Sequence, residues 1–267
     1  MKKSALLVVF VFVLLGGAIG AYFYWQQIQP KPAPTPAQVK APAPEAPKPE
    51  VRKIIEPVPT KAPLPQLAES DSLMLDALAG LVGNKALLKL FHTEHIIHNI
   101  VATIDNLPSR QAPVNVLPVE QVTGKFLTAG NEDALIINPK NAERYAPYVR
   151  LAETIDAKKL VALYVRLYPL FQKSYEELGY PKKYFNDRLI VVIDELLDTP
   201  NVKEPIKLVQ PSVFYKFADP DLEELSIGQR ILIRIGNKNE ATIKAKLNEI
   251  KQELLLHMHN EIVGDAE

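Results

Sequence analysis

The sequence predicts a mainly α fold: one helical domain with a minor β-hairpin, joined by a Pro-rich linker to a single-pass N-terminal transmembrane helix. Three observations support this prediction. Residues 5–25 contain no charged side chain, 12 of the 23 prolines fall in residues 26–66, and apolar residues recur at helical spacing from Leu67 onward. The predicted parts are therefore a transmembrane signal anchor (1–25), a Pro-rich spacer (26–66) and a helical domain (67–267).

The N-terminal segment has the features of a membrane anchor. Two lysines, Lys2 and Lys3, precede the charge-free run, and four aromatic residues, 22–25, end it. About 20 helical residues cross a hydrocarbon core, and lysines favour the cytoplasmic side. Residues 4–25 are thus predicted to lie in the lipid bilayer, with the domain exported. Cleavage as a signal peptide, with Ala18 and Gly20 before the cut, and a cytoplasmic orientation are the alternatives.

The spacer and the overall composition restrict the possible functions. Proline restricts its predecessor and lacks an N–H, so residues 26–66 are predicted to be disordered or polyproline II, without helix or sheet. The segment acts as a spacer, or it docks a partner that recognises proline-rich chains. Residues 1–66 carry eight Lys/Arg and three Asp/Glu, so the remaining 201 residues are acidic by five charges, which argues against nucleic acid. There is no cysteine, which excludes disulfides and thiolate sites.

Apolar periodicity, capping residues and glycine stops predict helices along the domain. The predicted helices span residues 69–82, 84–91, 93–106, 141–153, 156–179, 181–198, 219–236 and 237–258. Pro169 is predicted to kink one of them, and Gly179 to terminate it. The best strand-like stretch is 205–217, interrupted at Pro211.

Three histidines and a glutamate suggest a metal site at first sight: His92, Glu94, His95 and His98. On a helix over residues 93–106 they would spread around the solvent side, away from the apolar face. A zinc ion needs three or four protein ligands on one side, so we predict a solvated face and no cofactor. A metal sensor is the least favoured alternative.

Two further side-chain patterns permit a structural and a functional interpretation. The aspartates Asp187, Asp194 and Asp198 share one face of a predicted helix, and are predicted to be solvated rather than catalytic. The aromatic residues Tyr164, Tyr168, Phe171 and Tyr175 form one helical stripe. We interpret this stripe as core packing. The alternative is a groove in which aromatic faces and arginines hold a sugar or an anionic ligand.

Four segments resemble a known family: "VATIDNLP" (101–108), "NAERYAPYV" (141–149), "LYPLFQKSYEELGYP" (167–181) and "FADPDLEELSIGQRILIRIGNKN" (217–239). Over residues 90–256 the chain is similar to uncharacterised, proline-tethered, single-pass bacterial inner-membrane proteins that carry a domain of unknown function. The resemblance implies an anchored envelope protein with its C-terminal domain in the periplasm. It implies no activity, cofactor or catalytic residue.

The similar segments contain polar residues that core packing does not demand: Asp105, Asn106, Arg144, Tyr145, Asp219 and Arg234. They are the candidate ligand- or partner-binding residues. Asp219 is expected to cap a helix, and a buried Arg234 would need a carboxylate partner. The alternative is a buried polar network that fixes helix docking.

The sequence therefore favours a non-catalytic envelope module that binds a cell-wall polymer or a periplasmic protein. The second hypothesis is an envelope hydrolase, which requires Asp105, Arg144 and Tyr145 to converge in one pocket. Ligand, partner and oligomeric state do not follow from the sequence.

Overall fold

A computed structural model of the chain describes residues 50–55, 63–83, 90–110, 117–131 and 134–263. The described residues form eight α-helices: α1 (Asp71–Val82), α2 (Ile96–Asn106), α3 (Asn141–Thr154), α4 (Ala157–Glu177), α5 (Phe185–Leu197), α6 (Pro220–Glu224), α7 (Ile227–Arg234) and α8 (Asn237–Leu256). A short 3-10 helix, Leu67–Glu69, precedes α1. The mainly α prediction is confirmed. The predicted anchor, and all but two residues of the helix predicted at 84–91, lie outside the described residues.

Helices α4 and α8 organise the main core. Helix α4 packs against α2 and α8, and α8 also packs against α3, α5 and α7. Helix α4 contains Pro169 and ends at Glu177, and Gly179 follows with φ +107°. Glycine adopts this backbone conformation without a Cβ clash, so its predicted terminating role is confirmed. No helix in the described ranges combines the length and the hydropathy that crossing a bilayer requires.

Short strands form three antiparallel pairs: β1 (Glu50–Ile54) with β6 (His259–Val263), β2 (Thr128–Ala129) with β3 (Ile136–Ile137), and β4 (Leu208–Val209) with β5 (Lys216–Phe217). One hairpin was predicted and two are present. A bridge between Ile136 and Lys207 joins the hairpins β2–β3 and β4–β5. We call these joined hairpins the β cap. Their apolar side chains form a second, smaller core.

The strand pair β1–β6 corrects two predictions. Residues 50–54 were assigned to a spacer without sheet, yet β1 pairs with β6 over five residues. No proline occurs between Pro49 and Pro57, so this window keeps the N–H groups that a strand needs. The next residue, Ile55, is buried in the main core. The second correction is that the helix predicted to Met258 ends at Leu256 and the chain continues as β6.

Helix α2 begins at Ile96 rather than at Thr93. His95 precedes it with φ +53°, a left-handed conformation that interrupts the helical path. The backbone N–H groups of His95 and Ile96 donate to the Asp71 carboxylate at 2.7 and 2.8 Å. Because Asp71 lies in the first turn of α1, one carboxylate caps α2 and favours the N-terminal dipole of α1.

Two other predicted helices have different boundaries. Helix α5 begins at Phe185, and Pro181 lies in the preceding turn instead of the first helical turn. The helix predicted at 219–236 is divided into α6 and α7. The division occurs because Ser226 forms a capping box with Gln229 and starts a new helix.

Candidate functional site

The aromatic stripe of α4 is buried in the main core, as the packing interpretation predicted. Tyr164, Tyr168, Phe171 and Tyr175 are each at most 5% exposed. Burial raises the pKa of Tyr164 well above its ordinary value, and its hydroxyl donates to Asn186 Oδ1 at 2.6 Å. These phenols therefore stay neutral and hold the interior together.

The C-terminal end of the stripe reaches the surface through a second tyrosine. The rings of Tyr175 and Tyr180 stack with their centroids 4.6 Å apart and an interplanar angle of 21°. Tyr175 is buried, while Tyr180 is half-buried in the turn after α4. Burial and then the negative charge of Asp105 raise the pKa of Tyr175 to about 12. The stack carries the aromatic core out to an accessible ring.

Asp105, near the end of α2, fixes this tyrosine pair. Its Oδ1 accepts from Arg188 Nε at 2.7 Å, and its Oδ2 accepts from the Tyr180 hydroxyl at 3.1 Å. The Arg188 guanidinium also donates to the Asp105 carbonyl. The charge of Asp105, its hydrogen bond and burial, in that order, raise the pKa of Tyr180. Both carboxylate oxygens are thus engaged by an arginine and a neutral phenol.

Gln172 of α4 holds the other end of the turn. Its Oε1 accepts from the Phe185 backbone N–H at 2.9 Å, and its Nε2 donates to the Lys183 carbonyl at 2.9 Å. The Tyr168 hydroxyl donates to the same Oε1 at 3.1 Å. Since Asp105 holds Tyr180 and Gln172 holds Lys183, the turn is fixed at two points and its surface is preorganised.

The turn forms one wall of a pocket of about 340 Å³, which we call the tyrosine pocket. It is lined by Asp105, Tyr175, Tyr180, Lys182, Lys183, Tyr184, Asp187, Arg188 and Val191. This volume lies within the range of roughly 300–1,000 Å³ typical of small-molecule sites. Val191 is 54% exposed and adds an apolar surface beside the rings.

Two lysines give the rim of this pocket a positive charge. Lys182 and Lys183 are exposed, and neither forms an ion pair with a residue that the structure describes. The Lys183 ammonium lies 5.7 Å from the centroid of the Tyr180 ring. The pocket therefore combines aromatic surface with two exposed lysines and the Asp187 carboxylate, while Arg188 is balanced by Asp105.

Arg144 and Tyr145 lie elsewhere, on α3 beneath the β cap. Arg144 donates to the carbonyls of Gly124 and Thr123 at 2.6 and 3.2 Å, and to Asn141 Oδ1 at 3.1 Å. Tyr145 is 4% exposed, and burial raises its pKa against the opposing charges of Arg144 and Arg234. Neither Arg144 nor Tyr145 lines the tyrosine pocket. The structure therefore separates them from Asp105.

The other candidates have local structural contacts. Asn106 Nδ2 donates to the Ala102 carbonyl of its own helix at 2.8 Å. Asp219 caps α6 by accepting from the Asp221 N–H at 3.0 Å, as predicted. The Arg234 guanidinium lies 4.9 Å from the centroid of the Phe217 ring and donates to a backbone carbonyl. An aromatic face thus accompanies this half-buried arginine.

The histidine segment does not lie on one helix as predicted, because His92, Glu94 and His95 precede α2. His92 pairs with Glu120 at 3.6 Å on an exposed surface. A shallow surface pocket is lined by His92, Glu94 and His95, whereas His98 lines a different pocket. Among the described residues, no three histidine or carboxylate side chains are placed to hold a metal ion.

The structure thus defines a mainly helical domain with a small β cap and a preorganised tyrosine pocket. Residues 96–251, more than half of the chain, match the family described as "Protein of unknown function (DUF3014)", and the protein belongs to this family. The match runs from the start of α2 almost to the end of α8 and includes every residue that lines the tyrosine pocket. No curated protein and no solved structure matches the chain.

Proposed function

We propose that this protein is a single-pass bacterial inner-membrane protein whose periplasmic domain is a non-catalytic binding module, with the tyrosine pocket as its binding surface. The observation that carries the proposal is the Tyr175–Tyr180 stack, fixed by Asp105 and Arg188 beside two lysines that have no acidic partner in the part of the chain that the structure describes. Preformed apolar surfaces with a few placed polar groups are typical of ligand sites.

Binding is favoured over hydrolysis by the state of the carboxylate. Asp105 accepts from Arg188 and Tyr180 with its two oxygens, so it acts as a structural anion. A general acid or base must reach the reacting atom with a free oxygen. The hydrolase hypothesis also needed Arg144 beside Asp105, but Arg144 is engaged by the carbonyls of Thr123 and Gly124.

The proposed location depends on the N-terminal sequence. The charge-free run of residues 5–25 follows two lysines and ends in aromatic residues, which favours an uncleaved anchor with an exported domain. A reporter that is active only outside the cytoplasm, fused after Glu267, tests this orientation. Activity of this reporter is expected in intact cells. Its inactivity, together with activity of a second reporter that works only in the cytoplasm, would overturn the location.

Site-specific photocrosslinking in living cells tests the binding surface. A photoreactive phenylalanine analogue at Tyr184, which lines the pocket, is expected to capture an envelope polymer or a periplasmic protein. The control is the same analogue at Lys158, an exposed position on the first turn of α4. Lys158 lies about 25 Å along the helix axis from Tyr175, at roughly 1.5 Å per residue. Equal capture at both positions, or none, contradicts the proposal.

A further inference from the structure

The charges of the tyrosine pocket are not balanced. Three cationic side chains line it (Lys182, Lys183 and Arg188) together with two carboxylates (Asp105 and Asp187). Arg188 and Asp105 neutralise each other in an ion pair whose side chains are 27% and 14% exposed. Asp187 is half-buried, so the lining carries one net positive charge and its fully exposed charges are the two lysines, which have no ion-pair partner among the described residues.

The position of these lysines favours an anionic group on the ligand. Lys183 belongs to the turn that Gln172 fixes through the Lys183 carbonyl, and its ammonium lies near the Tyr180 ring. The backbone of this cation is thus held in place before any ligand arrives. A carboxylate or phosphate at the rim would gain charge-assisted hydrogen bonds from ammonium groups that are now solvated.

The remaining surface favours a saccharide. Tyr180 presents a half-buried ring, Tyr184 lines the same pocket, and Val191 extends the apolar surface to α5. Sugar rings have apolar C–H faces and polar edges, so they fit a surface that alternates aromatic carbon with polar side chains. An acidic peptide would pair with the lysines equally well but would make no specific use of flat aromatic surface.

On the proposed function, we infer that the ligand of the tyrosine pocket is an anionic glycan, bound through its sugar face at Tyr180 and Tyr184 and through its carboxylate or phosphate at Lys182 and Lys183. The inference rests on the pocket being the binding surface of the protein. It adds the chemical class of the ligand and divides the contacts into an apolar floor and a cationic rim.

Titration of the purified full-length chain in detergent tests the inference. The probes are soluble peptidoglycan fragments with free carboxylates, the same fragments after amidation of those carboxylates, and a deacylated, phosphorylated oligosaccharide core. Binding of a charged probe is expected, with the amidated fragments weaker by about tenfold or more. Preference for the carboxylate probe or for the phosphate probe identifies the source of the anion. Affinity should fall with added salt, since Lys182 and Lys183 are exposed to solvent and salt screens their charges.

Matched variants locate the contact. The double substitution Lys182→Gln and Lys183→Gln is expected to weaken binding of the charged probe about tenfold, while leaving the amidated probe unchanged. Lys158→Gln is the control and should change neither affinity. All these lysines are exposed, so the variants should fold.

The outcomes separate the two proposals. Equal binding of charged and amidated fragments overturns the anionic ligand but keeps the binding module. Failure to bind any glycan, together with protein capture at Tyr184 in cells, overturns the glycan and also keeps the module. Failure to bind any glycan without capture at Tyr184 overturns both.

Discussion

Asp105 and Arg144 both anchor polar networks in the part of the chain that matches the family, yet one supports an aromatic surface and the other ties a loop to a helix. The Arg144 guanidinium ties the exposed segment 123–124 to α3 through backbone carbonyls. The Asp105 carboxylate supports an aromatic ring and a turn that face solvent. Polar residues of similar appearance in the sequence can therefore have different roles: one fixes a loop against a helix, and the other orients a solvent-accessible aromatic ring.

The difference follows from what each charged group contacts. Arg144 donates to the backbone carbonyls of Thr123 and Gly124, and these bonds hold that segment against α3. Asp105 is paired with Arg188, and this pair orients the hydroxyl end of Tyr180 while the ring remains accessible. The first arrangement leaves no group for a ligand, and the second leaves an aromatic ring and two lysines.

Replacing Asp105 should give the largest effect on both stability and binding. Asp105→Ala leaves the Arg188 guanidinium without its anion in a partly buried position and releases Tyr180. We expect a loss of about 3 kcal/mol in the free energy of unfolding, measured by chemical denaturation. Capture at Tyr184 should also disappear.

The exposed aspartate Asp198 provides the control, and Asp198→Ala should change stability by less than about 0.5 kcal/mol. If Asp105→Ala stayed as stable as this control, the ion pair would not hold the pocket together.

Replacing Arg144 should affect stability alone. Arg144→Ala removes hydrogen bonds to the Thr123 and Gly124 carbonyls, so we expect a loss of about 1–2 kcal/mol in denaturation experiments. Capture at Tyr184 should be unchanged, because Arg144 does not line the tyrosine pocket. The exposed Arg166→Ala is the matched control. Loss of capture in Arg144→Ala would mean that the two networks act as one.

Alkaline pH should weaken the aromatic core that supports the pocket. The pKa of Tyr175 is raised from its ordinary value near 10 to about 12, so the folded protein keeps this proton while the unfolded chain loses it. The contribution of Tyr175 to stability is therefore constant below about pH 10 and is lost as the pH rises from about 10 to 12. Unfolding midpoints measured across this range test the expectation. Tyr175→Phe, which keeps the ring without the ionisable hydroxyl, should show a shallower decline, and an unchanged slope would contradict it.

Replacing a rim lysine should have the smallest effect on stability. Lys183→Ala removes an exposed ammonium without an acidic partner among the described residues, so the free energy of unfolding should change by less than about 0.5 kcal/mol. Capture at Tyr184 should nevertheless decrease. Thermal unfolding and crosslinking of the same variant measure both quantities, and Lys158→Ala is the control. A large loss of stability would assign Lys183 a structural role instead.

Local patterns in the sequence were sufficient to predict most of the helical fold. Apolar periodicity, the stop at Gly179 and the cap at Asp219 correspond to observed helices and boundaries. Predictions were wrong where a distant residue decides a local boundary. Asp71 caps α2 from another helix, and the left-handed conformation of His95 accompanies that contact. The pairing of β1 with β6 likewise joins the two ends of the described chain.

The pocket was predicted only in part for the same reason. Asp105 and Tyr175 were recognised as polar and aromatic positions, whereas the roles of Gln172 and Arg188 were missed. Arg188 is 83 residues from Asp105, and no spacing rule indicates such a pair. Tyr180 could have been identified from the sequence, because it lies in a segment that carries the family resemblance and follows the aromatic stripe, one residue after Gly179.

The β1–β6 pair has a consequence for the proposed membrane topology. Glu50 lies opposite Val263, so the chain enters β1 and leaves β6 at neighbouring positions. On the proposed topology, residues 26–49 connect the anchor to β1, and an extended polyproline chain of this length would reach at most roughly 75 Å at about 3.1 Å per residue. A protein fused after Glu267 would therefore be attached on the same side of the domain as the Pro-rich spacer, and the opposite surface would stay unobstructed.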